Sequence, residues 1–346
     1  MKRRVPWLLC LVLAACAPGP MDADALTVLT DQAIVPAFET ASSDVSDLSA
    51  AVEAFCRDPN DETLQAARDA WHAAKSSWEA AETATMFGPG HMMRTVAKVD
   101  YEPVDTEGID ELLASDSIID IDYVDNRTAA TRRGLGTVEY LLFGAPIGDS
   151  NARACELAMA SASVAATETS NLLSAWTDSD EGAEPYRDTF VEDMATDSAM
   201  GDVILAIVDT LKRQSGFELG RALGVTAIEP RPEAIVEGPA GAGAQRYSSQ
   251  LEGIRSQLTA GGEASLLALL AARSEEVADR VETLLDDALS DLSAIDEPLA
   301  DLVRDDPERL RPLQATLADL VGVFEADVVS VLDITLGFSD TDGDSG

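Results

Sequence analysis

Apolar residues recur at helical spacing almost throughout the chain beyond residue 22. In the first such segment, from about Ala23 to Cys56, the apolar stripe consists of Leu26, Leu29, Ile34, Phe38, Val45, Leu48, Val52 and Phe55. In the next segment Leu64, Trp71 and Trp78 are seven residues apart, so they share one helix face. Only 5% of the residues are aromatic, while alanine and leucine are abundant. This composition favours packed helices over a sheet, and the sequence therefore predicts an all-α fold.

Turn-forming residues divide the periodic pattern into eight predicted helices. Pro36 is predicted to kink the first of them. Residues 88–126 are predicted to be irregular apart from a short turn at 109–113, and residues 229–241, rich in proline and glycine, to form a crossover loop. The approximate helix ranges are 23–56, 62–84, 127–143, 151–176, 198–223, 244–259, 263–292 and 307–336.

Four helices followed by four more predict two packed four-helix bundles. The first bundle would cover residues 23–180 and the second residues 181–338, leaving residues 339–346 as an acidic tail. The two halves show no clear sequence repeat, so a duplication remains a hypothesis.

The net charge of the chain excludes one class of partner. The 24 lysine and arginine residues stand against 63 acidic residues, which gives a formal net charge of −39. Such a surface repels phosphate, so the sequence predicts no nucleic-acid partner. Cations would be concentrated near it. Adaptation to a salty medium would produce the same excess of acids, so the charge alone does not indicate a binding site.

The N-terminal residues are typical of a bacterial lipoprotein signal. Lys2, Arg3 and Arg4 precede an apolar run that is too short to span a bilayer, and the run ends in Leu13-Ala14-Ala15-Cys16. We therefore predict a signal peptide over residues 1–15, lipidation of Cys16 and a tether over residues 16–22. Ala17 after the cysteine resembles sorting to the outer membrane, which predicts a lipid-anchored protein on the periplasmic side of the envelope. The alternative is an ordinary secretory signal that happens to contain a cysteine.

Two cysteines remain once Cys10 is removed with the signal and Cys16 is lipidated. Cys56 and Cys155 each lie near an expected helix end, and the periplasm is oxidising. They are therefore candidates for a disulfide between the first and fourth helices. The alternative is two buried free thiols.

Four stretches of the sequence carry a resemblance to a known family. They are a tryptophan-bearing helix over residues 67–82, the segment Phe87-Gly88-Pro89, a signature helix over residues 133–144 and a closing segment over residues 336–344. On these stretches the chain resembles the imelysin family of periplasmic lipoproteins, which includes insulin-cleaving membrane proteases and iron-regulated proteins. The resemblance implies a fold of two helical bundles, in agreement with the periodicity.

The signature helix departs from the family pattern at one position. The family has Gly-x-His-x-x-Glu, whereas this chain keeps Gly134 and Glu139 but has Gly136 at the histidine position. An imidazole and a carboxylate three residues apart lie on one helix face and can bind one cation. Without the imidazole one ligand remains, and a glycine inside a helix costs about 1 kcal/mol. Gly136 therefore marks either a close approach of helices or a site that has been lost or rebuilt.

Glu139 is the charged residue that most needs a partner. It is the only charge between Arg133 and Asp149, and its neighbours along the helix are apolar. It is either a metal or substrate ligand or the partner of a nearby arginine, Arg127, Arg132 or Arg133. Glu79 and Glu82 of the second helix could supply companion oxygens, with Glu82 the better metal candidate because Glu79 is expected on a solvated helix face.

Several other residues are weaker candidates for a site. Trp71 and Trp78 could form a binding platform, but tryptophans at this spacing are more often core residues. His72 is expected to be a partly exposed helix residue. His91, Met92 and Met93 could bind a soft metal or pack a loop. The tail Asp340-Thr341-Asp342-Gly343-Asp344 has the spacing of acids found in a calcium loop, but it lacks the later glutamate and is expected to be a solvated chain end.

Three functional hypotheses follow. The first is a binding lipoprotein for iron or another divalent metal, acting in uptake with an envelope partner. The second is a metallopeptidase, which the absence of the motif histidine disfavours because an activated water needs two or three protein ligands. The third is a structural or partner-binding lipoprotein whose ancestral site has been lost.

Overall fold

The computed structural model describes residues 22–88, 92–144, 147, 152–178, 184–192, 199–334 and 336. Within these ranges the secondary structure is helical and contains no β-strand, so the predicted all-α fold is confirmed. The predicted signal peptide, Cys16, most of the tether, His91 and the acidic tail lie outside the described residues. None of the helices that are described is long and apolar enough to cross a membrane.

The helices of the first part of the chain include three long ones. In chain order they are α1 (Asp22–Leu29), α2 (Val35–Arg57), α3 (Asp61–Glu82), α4 (Met92–Val99), α5 (Thr106–Ala114), α6 (Ile121–Arg127), α7 (Gly134–Glu139), α8 (Ala152–Thr177) and α9 (Tyr186–Glu192). The remainder of the chain contributes α10 (Ala199–Lys212), α11 (Gly243–Thr259), α12 (Leu266–Arg273), α13 (Glu275–Ser293), α14 (Leu299–Asp305), α15 (Arg311–Gly322) and α16 (Val329–Leu332).

The first predicted helix is divided where Pro36 was expected to disturb it. A π-helical segment, Thr30–Ile34, joins α1 to α2, and Pro36 occupies the first turn of α2. Pro36 has no N–H to donate to the turn before it, and in that turn the bonding is of the π type, with the Val35 N–H donating to the Thr30 carbonyl oxygen. The next helix, α3, begins at a capping box in which the Asn60 side chain accepts hydrogen bonds from the backbone of Glu62 and Thr63.

The prediction that residues 88–126 are irregular is wrong. This stretch contains α4, α5 and α6. The last two begin at aspartate caps: Asp105 accepts a hydrogen bond from the Gly108 N–H, and Asp120 accepts one from the Tyr123 N–H. The periodicity of the sequence did not predict these helices, because seven to nine residues give little helical periodicity. The aspartate caps, by contrast, could be recognised in the sequence.

The third predicted helix, which carries the signature, begins at Gly134 instead of residue 127. Arg133 is extended and Gly134 has φ +75°, a conformation that L side chains rarely adopt. Gly134 also packs against the end of α4, where a Cβ atom on it would lie 2.3 Å from the Val99 carbonyl oxygen. The glycine therefore both starts α7 and allows α4 to approach it.

Helix α3 lies at the centre of the arrangement that forms the site. It packs against α2 on one side and against α11 from the later part of the chain on another, while α2 also packs along α8. The core around these helices contains fully buried Trp71, Trp78 and Trp176. Cys56 of α2 and Cys155 of α8 form a disulfide, with their Cα atoms 5.6 Å apart.

Candidate functional site

Helix α3 carries a buried lysine that binds three carboxylates. Lys75 Nζ lies 2.7 Å from Glu79 Oε1, 2.5 Å from Asp100 Oδ2 and 2.9 Å from Glu102 Oε1. Glu79 follows Lys75 by one helical turn, so the two residues share a face of α3. Asp100 and Glu102 come directly after α4 and reach the same point. We call Lys75, Glu79, Asp100 and Glu102 the Lys75 cluster.

The three carboxylates of the Lys75 cluster converge as metal ligands do. One oxygen of each of Glu79, Asp100 and Glu102 lies within 4.8 Å of one oxygen of each of the others. In the structure the ammonium group of Lys75 binds all three. A lysine therefore supplies positive charge at the place where a cation with oxygen ligands would sit.

Asp100 retains one free oxygen, which faces the position of the family histidine. Its Oδ1 is buried and has no hydrogen-bond partner among the described residues. A Cβ atom on Gly136 would lie 3.7 Å from this oxygen and 2.5 Å from Cγ2 of Val104. Val104 thus fills the space beside Gly136, and a side chain at position 136 would collide with it. The close contact at Gly136 is with the side chain of Val104, which lies between α4 and α5, and it is compatible with a site that has been lost or rebuilt.

Glu139 is buried under the loop that precedes α11. Only 4% of the residue is exposed, and its Oε1 accepts a hydrogen bond from the Ala240 N–H at 3.0 Å. A Cβ atom on Gly238 would lie 2.3 Å from both carboxylate oxygens, so glycine is required where the loop crosses Glu139. The loop predicted as a crossover therefore covers the carboxylate of the signature helix.

The arginines proposed as partners of Glu139 bind elsewhere. Arg132 pairs with Asp105 at 2.6 Å, and Arg127 pairs with Asp122 at 3.4 Å. Arg133 donates a hydrogen bond to the carbonyl oxygen of Asp125. The expectation of a structural pair between Glu139 and one of these arginines does not hold in the described structure.

A small cavity connects Glu139 to the Lys75 cluster. It measures about 10 Å³, and its lining includes Trp71, Lys75, Glu102, Glu139 and Arg246. This volume is enough for about one water molecule or one ion of similar size. Glu139 therefore lies within reach of the charges on the Lys75 cluster without a direct contact to it.

Helix α11 closes the site with amide and guanidinium groups. The Gln250 Nε2 atom donates hydrogen bonds to Glu79 Oε2 at 2.6 Å and to Glu82 Oε2 at 2.9 Å. Arg246 forms a buried ion pair with Glu218, and the Tyr247 hydroxyl donates a hydrogen bond to the same carboxylate at 2.6 Å. The buried acids of both parts of the chain thus share one polar interface.

The site holds more acids than bases. Its ionisable groups are the carboxyl groups of Glu79, Glu82, Asp100, Glu102, Glu139 and Glu218 and the cationic side chains of Lys75, Arg213 and Arg246. Burial of excess negative charge is unfavourable, so such a site takes up protons or a further cation.

Burial within this group of acids changes their pKa values. Burial raises the pKa of Glu79 to about 8, that of Glu139 to about 7 and that of Asp100 to about 6. Burial also acts on Glu102, but Lys75 and Arg246 outweigh it and lower the pKa of that carboxyl. For Lys75, burial opposes the charge, yet the pairing with Asp100, Glu79 and Glu102 raises its pKa well above the ordinary value.

The structure brings together several of the predicted site residues. Glu139 and Glu82 both border the site, and so does Glu79, for which the expectation of a solvated face was wrong because only 3% of the residue is exposed. Trp71 lines the cavity, and its Nε1 donates to the Leu135 carbonyl at 2.9 Å. Trp78 is buried in the core.

The remaining predicted candidates lie elsewhere or are not described. His72 is partly buried and hydrogen-bonds through Nδ1 to Gln245 Oε1 at 2.9 Å. His91 and residues 340–344 lie outside the described residues, and the side chains of Met92 and Met93 are likewise not described. The described site therefore offers oxygen ligands without histidine or cysteine, a set that suits hard cations.

Sequence reasoning missed Lys75, Asp100, Glu102 and Arg246. Lys75 carried a readable signal, since it is a charge on the apolar face of α3 one turn before a glutamate. Asp100 and Glu102 lay in a stretch predicted to be irregular, where periodicity says nothing about which side chains point inward. Arg246 could be placed only by the packing of α11 against α3.

The chain is similar to several known proteins. The family model described as Imelysin matches residues 34–324. A relative, Iron-regulated protein A of Synechococcus elongatus, is 26% identical over 201 residues, and the match covers 56% of this chain and 53% of the relative. The chain thus spans about half the length of that protein.

Two solved structures share the fold. An imelysin-like protein from Psychrobacter arcticum superposes with a TM-score of 0.76 at 20% identity, covering 93% of this chain and all of the other. A protein from Parabacteroides distasonis described as an iron-regulated protein A precursor gives a TM-score of 0.73 at 18% identity, covering 93% of this chain and 97% of the other. At these identities the likeness concerns the fold.

Proposed function

The chain belongs to the imelysin family, and from this premise we propose that it is a non-catalytic protein that binds a hard metal cation, iron foremost. The ligands would be the carboxylates of Glu79, Asp100 and Glu102. The observation that carries the proposal is their convergence on one point inside the protein, together with the unpartnered Oδ1 of Asp100 in the described structure. Acids whose pKa values are strongly raised by burial cluster at functional sites.

The choice of iron comes from the relatives. Two of them carry the description iron-regulated protein A. Oxygen-only donor sets select hard cations by their chemistry and not iron in particular. Iron is therefore the first cation to test, with manganese and calcium as comparisons.

Lys75 would have to give up its contacts before such a cation could bind. Its ammonium group binds the carboxylates that would become ligands. Cation binding would displace this ammonium and release protons from Glu79 and Asp100, because a carboxylate must be deprotonated to serve as a ligand. The lysine would keep the ligands together before the cation arrives.

The same lysine supports a second candidate function. Because Lys75 already contacts all three carboxylates, the cluster can also be read as a completed structural centre of a partner-binding protein. In that case no metal would bind to the wild-type chain. A lysine in place of a metal would preserve the fold while the ancestral site is lost.

A peptidase function has less support. Gly136 stands at the position of the motif histidine, and Val104 fills the space beside it. The described part of the site contains no imidazole. Activation of water by a metal needs an open coordination position and two or three protein ligands beside it. Insulin cleavage that a chelator abolishes would revive this function.

The proposed location is the periplasmic side of the envelope, with anchoring to the outer membrane through a lipid on Cys16. Its support is the sequence Leu13-Ala14-Ala15-Cys16 and the short apolar run before it. Mass spectrometry of the N-terminal peptide from native membranes would detect the acyl chains. Substitution of Cys16 by serine should release the protein into the soluble periplasmic fraction, and an unchanged distribution would contradict the anchor.

The metal proposal is tested by titrating the purified protein with Fe²⁺ under anaerobic conditions, followed by elemental analysis. We expect one equivalent to bind to the wild-type protein, and Asp100→Asn to weaken binding roughly tenfold to a hundredfold because a charged ligand is lost. The matched control is Asp122→Asn, which makes the same charge change at an exposed side chain.

Replacement of Lys75 by methionine separates the two candidates. If the site binds iron, Lys75→Met should bind it more tightly than the wild-type protein does. If the wild-type protein binds no cation and only Lys75→Met does, the lysine-completed structural centre is correct. Equal binding by wild type and Asp100→Asn would contradict the proposed ligand set.

A further inference from the structure

Gln250 of α11 contacts two carboxylates at the edge of the Lys75 cluster. Only 1% of this residue is exposed, and its Nε2 donates hydrogen bonds to Glu79 Oε2 at 2.6 Å and to Glu82 Oε2 at 2.9 Å. The other oxygen of Glu79, Oε1, lies 2.7 Å from Lys75 Nζ. The two oxygens of Glu79 therefore have different partners: one contacts the lysine of the cluster, and an amide group binds the other.

A second glutamine fixes the direction of the Gln250 amide. Gln214 is fully buried, and its Nε2 donates a hydrogen bond to Gln250 Oε1 at 2.6 Å. Because Gln250 Oε1 accepts this hydrogen bond, Gln250 Nε2 is turned towards the carboxylates. The opposite orientation would place an amide oxygen against carboxylate oxygens, and an ionised carboxylate has no hydrogen to donate. The two amides thus present a donor to the acids.

The unsatisfied atom of this chain of amides lies on Gln214. Its Oε1 is buried and has no hydrogen-bond partner among the described residues. A buried acceptor without a donor lowers stability. Gln214 belongs to the π-helical segment Arg213–Gly220, and π-helical turns are frequent at functional sites. The arrangement therefore satisfies the carboxylates of the site and leaves the unpaired atom farther away from them.

Glu82 is also bound on both of its oxygens. Its Oε2 accepts the hydrogen bond from Gln250, and its Oε1 lies 3.5 Å from a guanidinium nitrogen of Arg213. With Gln250 in place, Glu79 can offer one oxygen to a cation in the Lys75 cluster, and Glu82 can offer none. Without the Gln250 donor, Glu79 could bind a cation through both oxygens, and Glu82 could become an additional ligand.

The number of available oxygens decides which cations a carboxylate site prefers. Calcium takes about six to eight oxygen ligands and often binds carboxylates through both oxygens, whereas smaller divalent cations take fewer ligands in a stricter geometry. Selectivity between them therefore depends on the number of ligands and on how freely these can move. A donor that occupies carboxylate oxygens beside the site lowers that number and restricts the movement.

We propose that Gln250 determines which cations the Lys75 cluster accepts: by binding Oε2 of Glu79 and Oε2 of Glu82, it favours small divalent cations such as Fe²⁺ and Mn²⁺ over Ca²⁺. This inference rests on the proposed cation site, because Glu79 is one of its ligands. Gln250 is a positioning residue and not a ligand. It acts through the carboxylates that it binds, as hydrogen-bonding groups around metal ligands commonly do.

The test compares the binding of Mn²⁺ and Ca²⁺ to the full chain by isothermal titration calorimetry. We expect the wild-type protein to bind Mn²⁺ more tightly than Ca²⁺. Gln250→Met removes the donor but keeps a side chain of similar length, and it should raise the ratio of Ca²⁺ affinity to Mn²⁺ affinity by about tenfold or more. Damage to the fold would weaken the binding of both cations, so the ratio separates selectivity from a structural role.

Two further variants complete the experiment. Gln257→Met makes the same substitution at a buried position of α11 outside the Lys75 cluster, and it should leave the ratio unchanged. Gln214→Met frees the Gln250 amide to turn, so it should raise the ratio by a smaller factor than Gln250→Met does. Gln214→Met also provides the answer if the Gln250→Met protein does not fold.

The outcomes distinguish this inference from the proposed function. If the wild-type protein binds neither cation, the titrations are repeated with Lys75→Met as the background. An absence of binding in both backgrounds would overturn the cation site and this inference together. Cation binding with a ratio that neither Gln250→Met nor Gln214→Met changes would overturn this inference alone, and so would a wild-type preference for Ca²⁺.

Discussion

Lys75 Nζ lies 2.5 Å from Oδ2 of Asp100, while Oδ1 of the same carboxylate has no hydrogen-bond partner within the described structure. One oxygen of the Asp100 carboxylate is thus paired with a buried cation, and the other is not. We therefore expect the stability of the site to depend on Lys75. The free energy of unfolding should then change when Lys75 or a carboxylate of the site is altered.

Replacement of Lys75 by methionine should strongly destabilise the protein at pH 8. Removing one partner of a buried ion pair leaves uncompensated charge and typically costs about 3–5 kcal/mol. Urea unfolding followed by circular dichroism measures the loss. Lys212→Met is the control, because Lys212 pairs with Glu325 at an exposed site and such pairs contribute about 0–1 kcal/mol. Similar losses in both variants would contradict the role given to Lys75.

Stability should rise as the pH falls from about 8.5 to 6. A carboxyl group whose pKa is raised by folding binds its proton more readily in the folded protein, so protonation favours the folded state. Glu79, with a pKa of about 8, and Glu139, with one of about 7, titrate in this window.

The variant Glu79→Gln isolates one of these groups. Each group can contribute up to about 1.4 kcal/mol of unfolding free energy per pH unit while it titrates. Glu79→Gln should therefore reduce the slope between pH 8.5 and 6, measured from urea unfolding at several pH values. The lowered pKa of Glu102 acts in the opposite direction, but below this window. An unchanged slope would show that Glu79 does not titrate there.

Gly136→Ala should be destabilising, and Val104→Ala should rescue it. The new Cβ atom would lie 2.5 Å from Val104 Cγ2, and overpacking of this kind typically costs about 1–3 kcal/mol. Gly322→Ala is the control, because no atom lies within 4 Å of a Cβ there and alanine in a helix gains about 0.5–1 kcal/mol over glycine. Thermal unfolding of the wild-type protein, the two single variants, the double variant and the control tests this. Additive effects of the Gly136 and Val104 changes would contradict the contact.

The sequence was sufficient to predict the fold class, because the long helices carry a strong apolar period and the Asn60 cap marks the start of α3. It was insufficient for the Lys75 cluster. Its ligands come from α3 and from the residues after α4, and only packing determines that these meet. Glu139 could be singled out because an isolated charge on an apolar helix needs a partner, yet the partner is the backbone of Ala240, far along the chain.

The disulfide between Cys56 and Cys155 should stabilise the protein by restricting its unfolded state. The two residues are 99 apart in sequence, and closing a loop of this size is worth up to about 4–5 kcal/mol in a chain-entropy description. The double variant Cys56→Ala, Cys155→Ala should therefore unfold at lower urea concentration. Alkylation without reductant, read by mass spectrometry, should leave both cysteines of the wild-type protein unmodified. Two alkylated thiols in periplasmic protein would contradict the bridge, and a loss of stability in the double variant would then reflect side-chain packing alone.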